Sequence, residues 1–187
     1  MQANENAFIV SVMASDRVGI IADVAGAISA IGGNLEDVSQ TVMRGYFTMI
    51  MLAELPGGSA DAAELDKRLR AMASLQDAAI TVAPYRPMDE GSGEGDAASI
   101  YVLTASGPDQ PGIVAQFAQY LKERGINIVD LSSCNAESLD YTMVWLISIP
   151  REINVRRLQE QLTQDLAPLK MKIGIRHRDI FRRTNEI

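Results

Sequence analysis

The chain has 187 residues, of which 47% are hydrophobic, and a formal net charge of −7 at pH 7, so it can bury one or two ordinary cores. The acidic balance argues against direct nucleic-acid binding, which draws much of its affinity from neutralised phosphates. No apolar run approaches the roughly 20 residues that span a bilayer, and the N-terminus lacks the pattern of a signal peptide, so we expect a cytoplasmic protein that does not bind membranes.

A strand, a loop and a helix are predicted at the start of the chain. Residues 8–13 form a short apolar run with β-branched members, which is typical of a buried strand. The loop 16–19 follows it. Apolar side chains then recur at helical spacing up to the glycine pair at 32–33, where a helix is expected to end. These side chains are Ile21, Val24, Ala25 and Ile28.

Two strands, a helix and a last strand complete this unit. We predict strands over residues 34–42 and 46–55, joined at Gly45, because glycine tolerates the positive φ of a tight hairpin. Residues 61–75 carry leucine and methionine at helical spacing among charged side chains, which predicts an amphipathic helix, and residues 79–83 form a strand. The order β-α-β-β-α-β is that of the ferredoxin-like fold, a four-stranded antiparallel sheet with both helices on one face.

The whole pattern returns 93 residues further along the chain. Asp16-Arg17-Val18-Gly19-Ile20 corresponds to Asp109-Gln110-Pro111-Gly112-Ile113, and the same separation relates Asn34 to Asn127. A register held over this distance indicates a duplicated structural unit. The sequence therefore predicts an α+β protein made of two ferredoxin-like βαββαβ domains in tandem.

Composition between and after the repeats suggests the domain boundaries. Residues 85–97 combine glycine, proline and acidic side chains without periodicity, which is typical of a flexible acidic linker. The first domain is then 1–84 and the second 98–178. Residues 179–187 continue a basic stretch that begins at Arg176 and form a C-terminal extension without a counterpart in the first repeat. As a function, this basic ending could dock an acidic partner surface.

The sequence offers little for catalysis. Cys134 is the only cysteine and His177 the only histidine, so one chain cannot assemble a multi-histidine metal site or a zinc-cysteine cluster. The two could pair only if the C-terminal extension folds back on the hairpin. A phosphate-binding loop with its lysine and a Gly-x-Gly-x-x-Gly motif are also missing. We therefore expect a protein that is not an enzyme and that holds no metal and no cofactor.

The loop between the first strand and the first helix of each repeat is a candidate ligand site. Main-chain N–H groups at a helix N-terminus are unpaired donors and can hold a carboxylate. Gly19 and Gly112 would let a small ligand approach the main chain closely. Alternatively, Asp16 and Asp109 cap the helices, with Pro111 at an early helical position. Both interpretations fit the sequence.

Asn34 and Asn127 each open a strand after a helix that ends at glycine. Their carboxamides could meet the ammonium and carboxylate groups of an amino acid. They could equally satisfy neighbouring main-chain groups in a turn. Asp37 and Asp130 recur as well, but an acid in the middle of a strand is most simply a solvent-facing residue on the open face of the sheet.

These features resemble the ACT domain, twice over. The resemblance lies in a strand followed by Asp-x-x-Gly-Ile, a helix, and Gly-x-Asn opening the second strand. It implies a regulatory module that binds amino acids at interfaces between paired domains, through the strand-to-helix loop and the start of the second strand. The implied contacts are Asp16, Gly19, Ile20, Asn34, Asp109, Gly112, Ile113 and Asn127.

A free-standing pair of such domains is most similar to the glycine cleavage system transcriptional repressor group, whose members are thought to act through a DNA-binding partner. The resemblance implies a homodimeric sensor of a small amino acid such as glycine or serine, acting through a protein partner in amino-acid or one-carbon metabolism. Alternatives are a detached regulatory subunit of a metabolic enzyme, of the formyltetrahydrofolate deformylase type, and a structural dimerisation module. Because Arg17-Val18 stands where the second repeat has Gln110-Pro111, the two sites could differ in ligand, or only one could bind.

Overall fold

The computed structural model divides into two compact units, Met1–Pro87 and Met88–Ile187. The residues that the structure describes are 6–57, 61–87, 98–135, 141–179 and 181. The predicted linker lies outside the described residues except for 85–87, and the predicted C-terminal extension lies outside them except for 179 and 181.

Unit 1 is a four-stranded antiparallel sheet with two helices. Its elements in chain order are β1 (Ala7–Ser15), α1 (Ile20–Ser29), β2 (Asn34–Met43), β3 (Tyr46–Glu54), α2 (Ala62–Arg70) and β4 (Ala79–Pro84). The strand order is β2-β3-β1-β4, so β2 and β4 are the edge strands. A 3₁₀ turn at Ala73–Leu75 follows α2, where the sequence predicted a continuous helix.

Unit 2 repeats this arrangement with the same connections. Its elements are β5 (Ala98–Gly107), α3 (Ile113–Lys122), β6 (Asn127–Asn135), β7 (Tyr141–Pro150), α4 (Val155–Asp165) and β8 (Lys172–His177). The strand order is β6-β7-β5-β8, and a 3₁₀ turn at Ala167–Leu169 follows α4. The predicted fold class, two ferredoxin-like units in tandem, is confirmed.

Alternation along the strands explains why each sheet has one covered face. In β1, Val10, Val12 and Ala14 are buried and belong to the unit 1 core, whereas Met13 between them is 50% exposed. Successive side chains of a strand point to opposite faces, so one set packs under the helices and the other lines the open face. The core of each unit therefore lies between its sheet and its two helices.

The buried stripe of α1 shares Val24 and Ile28 with the predicted stripe and differs from it at the other two positions. In α1 the buried side chains are Ile20, Val24, Ala27 and Ile28, and Ile21 is 48% exposed. The equivalent stripe of α3 consists of Ile113, Phe117, Tyr120 and Leu121. Both sets have helical spacing, so the spacing alone did not decide which apolar residues face the sheet.

A β-bulge interrupts the edge strand at the same place in both units. The β2–β3 register shifts between Leu35 and Asp37, and the β6–β7 register shifts between Ile128 and Asp130. At the bulge, two residues of the edge strand lie opposite one residue of the neighbouring strand, so the alternation of side chains along the edge strand shifts by one residue. Asp37 is exposed opposite Leu52, as the sequence predicted for a solvent-facing acid.

Candidate functional site

Glycine is required at the start of the first helix in both units. Gly19 and Gly112 are the N-cap residues of α1 and α3, and their φ angles are 103° and 81°. This is the left-handed region, which side chains with a Cβ seldom adopt. A Cβ at either position would meet no atom within 4 Å, so the backbone angle rather than crowding accounts for the glycine, and the space above it is open.

These two helices begin without a side-chain cap. Within the described residues, neither N-cap makes a side-chain hydrogen bond to the first turn of α1 or α3. By contrast, Asp61 caps α2 through the Glu64 N–H at 2.9 Å, and Asn154 caps α4 through the Arg157 N–H at 3.0 Å. The alternative interpretation of Asp16 and Asp109 as helix caps is therefore wrong, because the cap position is three residues further on.

Because neither helix has a side-chain cap, the hydrogen-bond donors at its start are main-chain N–H groups. The side chains of Ile20 and Ile113 are 1% and 3% exposed and lie in the two cores, so these residues can offer a ligand only their backbone. In unit 2 the Ile113 N–H donates to the Gln110 carbonyl at a long 3.3 Å. Pro111 lies one residue before the N-cap Gly112 rather than inside the helix as predicted.

Arg17 anchors the unit 1 loop. Its Nε donates to the Ser74 carbonyl at 3.0 Å, and its Nη1 donates to the Asp77 carboxylate at 3.1 Å. This guanidinium holds the pKa of Asp77 at about 2, chiefly through the hydrogen bond. The cation of this loop is therefore occupied by the segment after α2 and is not a free ligand contact.

Gln110 performs the same anchoring in unit 2 without a charge. Its Nε2 donates to the Leu169 carbonyl at 2.7 Å, in the 3₁₀ turn after α4. The difference between the two loops in sequence is thus a difference in how each loop is tied to its unit. The sequence pattern did not identify Ser74, Asp77 or Leu169 as partners, since they are 57 to 60 residues away along the chain.

We expect the Arg17–Asp77 pair to be visible as an acid titration. Asp77 has a folded pKa below its ordinary value of 3.8, so the pair stabilises the fold fully above about pH 4 and loses that contribution as the pH falls towards 2. In Arg17→Gln, the Asp77 midpoint measured by carboxyl-carbon NMR should rise towards 3.8. Arg68→Gln, which removes the partner of Glu64 instead, is the control. A wild-type midpoint already near 3.8 would contradict the pairing.

The asparagines lie at the opposite end of the sheet from the loops. Asn34 is opposite Glu54 of β3, which pairs with Ala7 at the start of β1, whereas the loop follows Ser15 at its end. Eight residue steps of about 3.3 Å separate these ends, roughly 26 Å. In unit 2, Asn127 is likewise opposite Ser148 and hence level with Ile100. The predicted contacts of one repeat therefore lie in two separate groups, one at each end of the sheet, rather than in one pocket; each group is a proposed half-site.

The two asparagine ends differ in their surroundings. Asn34 is accompanied by Glu36, Asp37 and Glu54, and Glu54 raises the pKa of Glu36 above its ordinary value through a shared hydrogen bond and like-charge repulsion. Asn127 instead lines a shallow cavity of about 360 Å³ between α3 and the edge strand β6. The other lining residues are Ala118, Lys122, Gly125, Ile126 and Ile128.

The only cysteine and the only histidine of the sequence do not form a pair. Cys134 is exposed on the edge strand β6, and His177 lies on β8 at the other edge, where its ring meets Tyr101 edge-on at 5.1 Å. Three strand spacings of about 4.8 Å separate the two edges. Within the described part of the chain, no group of three or more metal-ligating side chains comes together, and no helix is long and apolar enough to cross a membrane.

Comparison with known proteins gives matches over both units. A family model described as the ACT domain matches residues 6–83 and again residues 99–176. A UPF0237 protein of Methanosarcina mazei is 45% identical over 64 residues, which are 34% of this chain and 70% of the relative. A second UPF0237 protein, from Methanosarcina acetivorans, is 50% identical over 56 residues, 30% of this chain and 61% of the relative.

Two solved structures each resemble more than nine tenths of the chain. An unknown protein from Galdieria sulphuraria has a TM-score of 0.75 and 25% sequence identity, with 92% of this chain and 98% of the other covered. A candidate glycine cleavage system transcriptional repressor has a TM-score of 0.60 and 18% identity, with 91% and 95% covered. At this level of identity, the similarity to the second structure shows a shared fold.

Proposed function

The chain belongs to the ACT domain family, and from that premise we propose that it is a cytoplasmic, non-enzymatic regulatory protein that senses a small amino acid and acts through a protein partner. The observation that carries the proposal is the uncapped, glycine-started helix that occurs in both units. A helix N-terminus with free main-chain donors favours a carboxylate. The family resemblance supplies the class of ligand.

The half-sites suggest how an amino acid is held. The N–H groups that follow Gly19 or Gly112 bind the α-carboxylate, and the Asn34 end of a second ACT domain meets the ammonium group. At Asn34 the neighbouring carboxylates of Glu36 and Glu54 suit an ammonium, because their mutual repulsion falls when a cation binds between them. Since the half-sites lie at opposite ends of each sheet, a complete site needs ACT domains from two copies of the chain related by a two-fold axis, as in a homodimer.

We expect thermal unfolding to identify the amino acid. At about ten times its dissociation constant, a ligand that binds only the folded state adds about 1.4 kcal/mol, and each kcal/mol raises the midpoint of a chain this size by about 2–4 °C. Glycine and serine are tested first, followed by the other common amino acids. The double variant Asn34→Ala/Asn127→Ala should lose the shift, and Gln161→Ala, an exposed amide on α4, should retain it. A midpoint that no amino acid moves would refute sensing through these residues.

The partner is proposed to be a DNA-binding regulator of amino-acid or one-carbon metabolism. The net charge of −7 supports an indirect role, because direct phosphate binding would need a basic surface. Ligand binding can change such an association only through different affinities for the free and the associated state. Affinity purification of the tagged full chain, with and without the amino acid, would distinguish a DNA-binding partner from a metabolic enzyme.

A further inference from the structure

The residues around the two equivalent asparagines have diverged in charge. Three positions change between the units: Ser29 corresponds to Lys122, Glu36 to Val129, and Glu54 to Ser148. The strand register supports the last two correspondences. The β-bulge lies at the same place in both units, and Asn34 is opposite Glu54 as Asn127 is opposite Ser148. Unit 1 thus has two additional carboxylates at this end, and unit 2 has an ammonium group.

The cavity of unit 2 combines one cation with apolar walls. Lys122 and Asn127 line it together with Ile126, which is buried, and Ile128, which is half-buried. Its volume of about 360 Å³ lies in the range of small-molecule pockets, roughly 300–1,000 Å³. The positive φ of Gly125, at 66°, turns the chain from the end of α3 into β6 and leaves room beside the main chain.

Lys122 is available to a ligand. It forms no ion pair with any residue of the described part of the chain, and its neighbour Glu123 accepts a hydrogen bond from Gln119 Nε2 at 2.8 Å instead. Arg124, the next cation, lies over the ring of Tyr120 at 3.4 Å and pairs with Asp165 at 3.5 Å. Of these adjacent charges, Lys122 is therefore the one left for an incoming anion.

We propose that the cavity beside Asn127 binds the carboxylate of a small organic anion, with Lys122 supplying the charge and Asn127 the hydrogen-bonding groups, and that Glu36 and Glu54 exclude this mode from unit 1. The inference rests on the proposed function, in which both asparagine ends are half-sites for a ligand. The two repeats then select different chemical groups: unit 1 meets an ammonium and unit 2 meets a carboxylate. The two units of one chain therefore have sites with different ligand preferences.

The like charges at Asn34 are the reason for the exclusion. A carboxylate entering beside Glu36, Asp37 and Glu54 would add a further negative charge to a group of acids in which Glu54 already raises the pKa of Glu36, through a side-chain hydrogen bond and like-charge repulsion. At Asn127 the corresponding positions are apolar or a hydroxyl, Val129 and Ser148, so only Asp130 remains from the acidic set. Discrimination between the two units by a carboxylate ligand thus combines attraction to Lys122 in unit 2 with repulsion by Glu36 and Glu54 in unit 1.

The test is a titration of the ¹⁵N-labelled full chain with sodium acetate, followed by amide NMR and matched by sodium chloride at equal ionic strength. Acetate is expected to give saturable shifts at Lys122, Gly125 and Asn127 and none at Asn34. Lys122→Gln should raise the apparent dissociation constant for acetate about fivefold, which corresponds to the upper end of the free energy measured for exposed ion pairs. Lys172→Gln, an exposed lysine on β8, should leave it unchanged.

Three results would overturn the proposal: equal acetate shifts at both asparagines, shifts that survive Lys122→Gln at unchanged affinity, or shifts that chloride reproduces. A reciprocal variant tests sufficiency, because Ser29→Lys/Glu36→Val/Glu54→Ser should create acetate shifts at Asn34. If it does not, these three positions are not the determinants.

Glycine titrated in parallel separates this inference from the proposed function. Acetate shifts at Asn127 without shifts from glycine or any other common amino acid would refute amino-acid sensing and support the anion site. Glycine shifts at Asn34 with no acetate response would support sensing and overturn the anion site.

Discussion

Replacing Trp145 with alanine is expected to lower the free energy of unfolding of unit 2 by about 3–5 kcal/mol. The side chain is 1% exposed on β7, and its ring stacks on Phe117 of α3 with centroids 6.0 Å apart and planes at 21°. Unit 1 has the smaller Met51 at the equivalent position, so this large ring is specific to the core of unit 2. Removing it leaves a cavity between sheet and helices that a rigid core fills only in part.

Trp145→Phe is the matched control for this effect. The indole Nε1 is buried with no hydrogen-bond partner among the described residues. Replacing the indole with a phenyl ring removes an unpaired donor whose burial costs about 1–3 kcal/mol, and this offsets the lost apolar area. Urea unfolding followed by far-UV circular dichroism should thus show a much smaller loss for phenylalanine than for alanine. Equal losses would mean that the ring does not determine the packing here.

Gly107→Ala is expected to destabilise unit 2 by about 2–3 kcal/mol, through overpacking. A Cβ at this buried position would lie 2.7 Å from Met171 Sδ, 2.8 Å from the Lys170 carbonyl oxygen and 3.2 Å from Met171 Cα. The sulfur belongs to a flexible side chain, but the carbonyl is backbone and must move. The Asp109–Gly112 loop follows directly, so the same substitution should also disturb the helix start.

The repeat itself provides a control for Gly107→Ala. The equivalent pair in unit 1 is Ala14 and Ala78, where unit 2 has Gly107 and Met171. In unit 2 a smaller residue at the first position thus accompanies a larger one at the second. We expect Gly107→Ala/Met171→Ala to cost less than the sum of the two single variants, by about 1–2 kcal/mol. Strict additivity in urea unfolding would show that Met171 does not limit the space at Gly107.

If both asparagine ends bind ligands as proposed, their difference in charge matters for regulation. Two identical half-sites would respond to one ligand together, whereas unlike half-sites allow two different small molecules to bias one assembly. Each could do so only by its own difference in affinity between the states of that assembly. The coupling would be reciprocal, so each ligand would alter the affinity for the other by the same factor.

The sequence by itself determined the element order, the duplication and the glycines of the loops. Alternation in β1 and helical spacing in α1 are local consequences of side-chain geometry, so they can be recognised without knowledge of the partners. The positive φ at Gly19 and Gly112 follows from the same kind of local rule. The order β-α-β also contained a signal that was missed: a crossover helix returns the chain, so Asn34 begins at the end of the sheet where β1 began.

Only the tertiary structure decided which groups meet. Ile20 rather than Ile21 is buried because the sheet under α1 selects among apolar residues of equal spacing. Arg17 is occupied by Asp77 because a residue 60 positions further along the chain is brought beside it, and Lys122 lines a cavity because space remains where α3 passes into β6. Periodicity fixes the face of an element, but the neighbours of a side chain depend on contacts between elements, and these contacts determine which charges remain for a ligand.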